Sequence, residues 1–108
     1  MSTNDPAASA PRPDPAEPAV RASRALVIPG RAGLHARPAA RIVEIARRYA
    51  ARVTIVHADV TASATELLDV LYLAAPSGAE VEVSAVGHDA VAAVDALTAF
   101  LASLGDDA

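Results

Sequence analysis

Apolar and polar positions alternate in distinct blocks from about residue 24 onward, and the period changes from block to block. RALVIP (24–29) is a short apolar run closed by Pro29 and Gly30, which predicts a strand. From Pro38, PAARIVEIARRYAA places Ala39, Ile42, Val43, Ala46, Tyr49 and Ala50 at spacings of three and four, one face of a helix. Arg41, Glu44 and Arg48 fall on its other face. RVTIVH (52–57) alternates, with Val53 and Ile55 on one side, and Asp59 turns the chain into a short strand over 60–63. TELLDVLYLA (65–74) reads as a helix with Thr65 as N-cap, Glu66 in the first turn and Pro76-Ser77-Gly78 as its stop. In AEVEVSAV (79–86), Ala79, Val81, Val83 and Ala85 face one way and Glu80, Glu82 and Ser84 the other, the clearest strand pattern in the chain. A last helix is expected over 90–104, with Val91, Val94, Leu97 and Leu101 as its buried stripe and Gly105 ending it.

The order β-α-β-β-α-β-α predicts an α+β fold: a two-layer open-faced sandwich, a four-stranded, mainly antiparallel sheet with three helices on one face. Residues 1–22 are dense in Pro and Ala and poor in large apolar side chains. Such a segment buries too little surface to offset its ordering entropy, so it is expected to be a flexible extension to a domain over 23–105.

Composition narrows this picture. Hydrophobic residues make up 53% of the chain but aromatics only 3%, so the core must be built from Val, Leu, Ile and Ala. The net charge of -4 argues against a nucleic-acid binder or a binder of anionic membranes. The bases are all arginines, confined to the stretch from Arg12 to Arg52, so an anion site is expected in the first half. Cysteine is absent and the three histidines lack close ligand spacing, which leaves no disulfide framework and points away from a metal site. No signal-peptide pattern opens the chain, and no apolar stretch reaches the ~20 residues of a membrane span. A cytoplasmic protein is the expectation.

The candidate chemistry sits in GLHARPAA (33–40). Pro38 is favoured in a first helical turn, where its missing N–H has no intrahelical partner. That places His35 or Ala36 at the N-cap, beside the free N–H groups of the helix start, a terminus suited to anions. Arg37 adds a forked cation suited to phosphate oxygens, and Gly30 and Gly33 allow close approach of the backbone. Imidazole, with an ordinary pKa of about 6.5, is largely unprotonated at neutral pH, and Arg37 and the helix dipole are expected to lower that value. These residues together describe a nucleophile beside an anion cradle. His57 and His88 are expected to be surface or cap residues.

Gly33-Leu34-His35-Ala36-Arg37-Pro38-Ala39, with Gly78-Ala79-Glu80 opening the last strand, resembles HPr, the histidine-containing phosphocarrier family of the bacterial phosphoenolpyruvate-dependent sugar phosphotransferase system. The resemblance covers residues about 24–104. It implies that His35 is phosphorylated on Nδ1 by phospho-enzyme I and passes the group to an enzyme IIA domain. Arg37 and the helix N-terminus at Ala36 would steady the phosphoryl group, and Ala36, Ala40, Leu67, Leu68 and Leu71 would form the docking surface. It also implies a carrier rather than a turnover enzyme, without a cofactor and monomeric. The chain departs from the pattern at Glu66, where many members carry a regulatory serine, and at Asp69, usually a glycine. Glu44 stands where basic residues often rim the docking patch, though Arg41, Arg47 and Arg48 keep a positive edge. These departures leave open a regulatory paralogue of nitrogen-type or dihydroxyacetone-kinase branch, and an interaction module that has lost the relay. Retention of His35 and Arg37 speaks against the last.

Overall fold

The computed structural model describes residues 20–30 and 36–104. In chain order its elements are β1 (Arg21–Val27), α1 (Ala36–Ala46), β2 (Arg52–His57), β3 (Val60–Ser63), α2 (Leu67–Tyr72), β4 (Glu80–Val86) and α3 (Ala90–Ser103). The predicted order holds. The strands form one antiparallel sheet in the order β1-β4-β2-β3. Alternation then decides which side is covered. Val53 and Ile55 stand opposite Ala85 and Val83, and all four are buried under the helices. Arg52, Glu80 and Glu82 are exposed on the open face. The helices supply Ile42, Ile45 and Ala46, then Val70, then Val94, Leu97 and Leu101 to the same core. Among the described residues no helix is long and apolar enough to cross a membrane.

Several boundaries differ from the sequence reading, each for a tertiary reason. β1 begins at Arg21, not Arg24, so Arg21 and Ala22 belong to the sheet rather than to the extension. Locally RAS is a poor strand former, but Arg21 pairs with Val86 and the Gly87 N–H donates to the Val20 carbonyl at 2.9 Å. Arg24 occupies a core-facing register opposite Val83, yet its head reaches past the sheet edge. There it donates to Asp95 at 2.7 Å and to the Thr98 hydroxyl at 2.8 Å, lacing β1 to α3.

α1 ends at Ala46 instead of running on to Ala50. The N–H groups of Arg48 and Tyr49 turn back to the carbonyls three residues earlier, Ile45 and Ala46, which tightens the last turn. The next two amides, of Ala50 and Ala51, are taken by the Asp89 carboxylate at 2.9 and 2.8 Å. α2 is also shorter than expected. Thr65 is not its cap: Glu66 occupies that position and makes no side-chain cap bond. The helix stops before Pro76, with Ala74 turned into the left-handed region at φ +49°. In α3, Val91 is exposed rather than part of the stripe, which consists of Ala90, Ala93, Val94, Leu97, Thr98 and Leu101. The expected stop at Gly105 lies outside the described residues, as do residues 1–19.

Two neighbours hold the start of β2. Asp89 is kept below the ordinary carboxylate range, chiefly by the Ala50 N–H and further by that of Ala51, against an opposing effect of desolvation. A carboxyl with a lowered folded pKa stabilises above its unfolded value and loses that contribution as pH falls through the folded one. Acid denaturation should therefore steepen below about pH 4; Asp89→Asn should remove that component in urea melts taken across the acid range. Gly87 has φ +150°, and a Cβ there would fall 2.7 Å from the Ala51 Cα. Gly87→Ala is expected to cost about 1–3 kcal/mol in urea unfolding, with the slope against denaturant unchanged.

Candidate functional site

The candidate site, as far as the described residues carry it, comprises the start of α1 and the adjoining face of α2. His35, with Gly33 and Leu34, lies outside the described residues. The helix itself starts at Ala36, the residue following His35 in sequence, and Pro38 falls in its first turn as expected. Pro38 and Ala39 are buried, which fixes the first turn against the core, while Ala36, Arg37 and Ala40 stay exposed. The Arg37 side chain is thus exposed on a first turn whose Pro38 and Ala39 are buried. Upstream, the Ile28 N–H donates to the Ala79 carbonyl and the Gly78 N–H to the Ile28 carbonyl, both at 2.8 Å. The chain just past the end of β1 is therefore tied to the start of β4.

Arg37, Arg41, Arg47 and Arg48 are all exposed along α1 and its end. Glu44 pairs with Arg41, and Arg47 donates to the Thr65 carbonyl at 3.0 Å, joining the end of α1 to the start of α2. On α2 the apolar side chains divide between two faces. Val70 is buried and Leu73, just after the helix, is too; Leu71 is half-buried. Leu67 is 41% exposed, Leu68 69% and Tyr72 76%. The fully buried positions are thus Val70 and Leu73, while Leu71 of the docking set packs partly against the core. Tyr72 was missed in the sequence reading, although its i,i+4 spacing from Leu68 places it on the same face.

The acids at the start of α2 have separate roles. Asp69 accepts the Ser63 N–H at 3.3 Å, bridging β3 to the first turn, and Glu66 is exposed. His57, at the end of β2, is half-buried and its Nδ1–H donates to the Leu73 carbonyl at 2.9 Å. It is a staple rather than a simple surface residue. His88 is exposed. Among the described residues no three His, Asp or Glu side chains cluster as a metal site.

The family model described as "PTS HPr component phosphorylation site" matches residues 22–103. The chain belongs to the HPr family. It is 40% identical over 67 residues to the phosphocarrier protein HPr of Treponema pallidum, covering 62% of this chain and 76% of that one. To the phosphocarrier protein NPr of Shewanella violacea it is 35% identical over 85 residues, covering 79% and 93%. The crystal structure of HPr from Bacillus anthracis superposes with a TM-score of 0.72 at 30% identity, covering 75% of this chain and 96% of that one.

The chain is thus of an HPr-type phosphocarrier family, and phosphoryl transfer is its general role. Every site residue singled out in the sequence falls inside the matched span. Exposure on α2 makes a contrast that stability measurements can read. Leu68→Ala is expected to change unfolding free energy by less than about 0.5 kcal/mol, whereas Val70→Ala, two residues on and on the opposite face, should cost about 1–3 kcal/mol. Equal losses for the two would contradict the division of faces on α2.

Proposed function

We propose that the protein is a phosphoryl relay in which His35 takes a phosphoryl group from phospho-enzyme I on Nδ1 and passes it to an enzyme IIA domain. The observation that carries this reading is the helix α1 starting immediately after His35, with Arg37 exposed on its first turn, inside the span matched by the family model. Neutral imidazole attacks phosphorus; the P–N bond forms as the bond to the donor breaks, and the broken bond's electron pair stays with the donor. No oxidation or reduction accompanies the step. The free N–H groups of the helix start and the Arg37 guanidinium offset the charge on the transferred group. Transfer onward reverses the same steps, so the site must hold the group without trapping it.

Docking falls to the exposed side chains of α1 and α2: Ala36, Ala40, Leu67 and Leu68, with the half-buried Leu71. Arginines edge this surface, which suits partners with an acidic rim. A regulatory, NPr-type role is the second reading. It is favoured by the Shewanella violacea relative, matched over 93% of that protein's length, and by Glu66 in place of a serine.

Incubation with phosphoenolpyruvate and enzyme I of either the sugar or the nitrogen type should give an acid-labile, base-stable phosphate on the wild type. His35→Ala should carry none. Arg37→Glu should slow labelling about 10²-fold without lowering the melting temperature, since Arg37 is exposed. Label on His35→Ala, or none on the wild type with either donor, would refute the relay. The IIA domain that accepts the group separates the two readings.

A further inference from the structure

The uncovered face of the sheet carries its charges at two separate ends. β1 and β2 both pair with β4, so Arg21 and Arg52 stand opposite the same residue, Val86. Directly opposed side chains of a ladder share a face, and these three emerge on the uncovered one. Neighbouring strands lie about 4.8 Å apart, which puts the two arginine Cα atoms about 10 Å from one another across β4. Two long guanidinium arms at that spacing can close on one small ion. Two residues along the strands, Ser84 stands opposite Ser23 on one side and Thr54 on the other. A row of three hydroxyls thus lies beside the two cations. Between the rows is an open cavity of about 260 Å³, lined by Arg21, Ala22, Ser23, Ser84, Ala85 and Val86. No helix residue lines it, so it opens on the uncovered face.

We propose that this end of the sheet binds a small phosphate-type oxyanion, with Arg21 and Arg52 as its cations and Ser23, Thr54 and Ser84 as hydroxyl donors. Among the described residues Arg24 is taken by Asp95, Arg41 by Glu44 and Arg47 by the Thr65 carbonyl, whereas neither Arg21 nor Arg52 forms an ion pair. Asp89, which reaches the start of β2, is committed to the amides of Ala50 and Ala51. The acids of the uncovered face stand at its other end, Glu82 opposite Ala25 and Val56 and Glu80 opposite Val27. Two like charges held on one face repel, and a bound anion relieves that repulsion. Forked guanidinium groups match the paired oxygens of a phosphate, and hydroxyls complete its hydrogen bonds. A long polyanion fits poorly, because only two cations meet it on a chain of net charge -4. The site is on the side of the sheet away from α1 and α2, so a bound ion leaves their exposed faces open. It rests on no part of the relay.

The test is an NMR titration of the isotope-labelled full-length protein with inorganic phosphate in place of chloride, at constant pH and ionic strength. Saturable amide shifts are expected at residues 21–23, 52–54 and 84–86. Arg21→Gln and Arg52→Gln should each weaken binding about tenfold, the loss of one charge-assisted contact. Both arginines are exposed, so the melting temperature should stay unchanged. Arg48→Gln, which removes an exposed charge outside the two rows, should leave the affinity within about twofold. Shifts that never saturate, or that follow every exposed arginine alike, would show ionic screening alone and overturn the proposal. So would shifts confined to the start of α1, or an affinity that neither glutamine variant lowers. Vesicles of phosphatidylserine and phosphatidylcholine separate the sources of the phosphate. Cosedimentation lost in Arg21→Gln would make it a lipid headgroup, and phosphate shifts without cosedimentation would make it a free small molecule.

Discussion

The structure depends on β4 taking its place between β1 and β2. The β2–β3 hairpin closes locally, but β1 has no partner until residues 80–86 pair with it along 21–27 and with β2 along 52–56. Since β4 is antiparallel to both, β1 and β2 run parallel with a strand between them, and so do β3 and β4. Each of those parallel pairs is joined through a helix, α1 in one case and α2 in the other. Right-handed crossovers in the two connections put both helices on the same face, where α3 joins them. The other face is left to water and to Arg52, Glu80 and Glu82. The same insertion brings the end of β1 against the start of β4.

The helix layer sits close on this sheet because its contacts are small. Ala39, Ala46, Ala90 and Ala93 are fully buried, and the largest fully buried side chains are Ile, Leu and Val. With only 3% aromatic residues, of which Tyr49 and Phe100 pack only partly buried against the core, small aliphatic side chains fill the space between the layers. Close packing also serves the site. Pro38 and Ala39 bury the first turn of α1 against the core, while Arg37 beside them stays exposed. The Asp89 carboxylate contributes in a different way: by taking the amides of Ala50 and Ala51 it ends the chain's helical course and aims it into β2.

Element types were legible because burial on one face leaves a period in the sequence. Val81, Val83 and Ala85 alternate with Glu80 and Glu82, and Val53 and Ile55 alternate likewise. Ends were less legible, because partners distant in sequence decide them. Nothing in RAS announces a strand; its pairing with residues 84–86 does. Nothing in RRYAA announces a helix end; Asp89, far along the chain, supplies it. Val91 was misplaced for a related reason. Ala90 and Ala93, too small to register as apolar anchors, carry the contact with the sheet, and the stripe runs one position around from the larger residue. The proposed nucleophile, His35, and Arg37 rest on the motif itself, since residue type and spacing define it. The row of Arg21, Val86 and Arg52 was not legible, because it joins residues whose proximity exists only once β1 and β2 have paired with β4.

α2 shows how the fold and the proposed docking face are reconciled in very little chain. A helix of two turns or less is not stable alone, since nucleation costs more than a few hydrogen bonds return. Here it is secured from four directions. Val70 and Leu73 are buried beneath it, Arg47 holds the Thr65 carbonyl at its start, Asp69 holds the Ser63 amide, and His57 holds the Leu73 carbonyl at its end. None of these anchors uses Leu67, Leu68 or Tyr72. The large exposed side chains are therefore free of the fold, and their identity can change with the partner while the helix stays in place. Glu66 illustrates the same separation: it occupies the cap position without making a cap bond, so the charge it presents at the start of α2 is set by the surface and not by the needs of the helix.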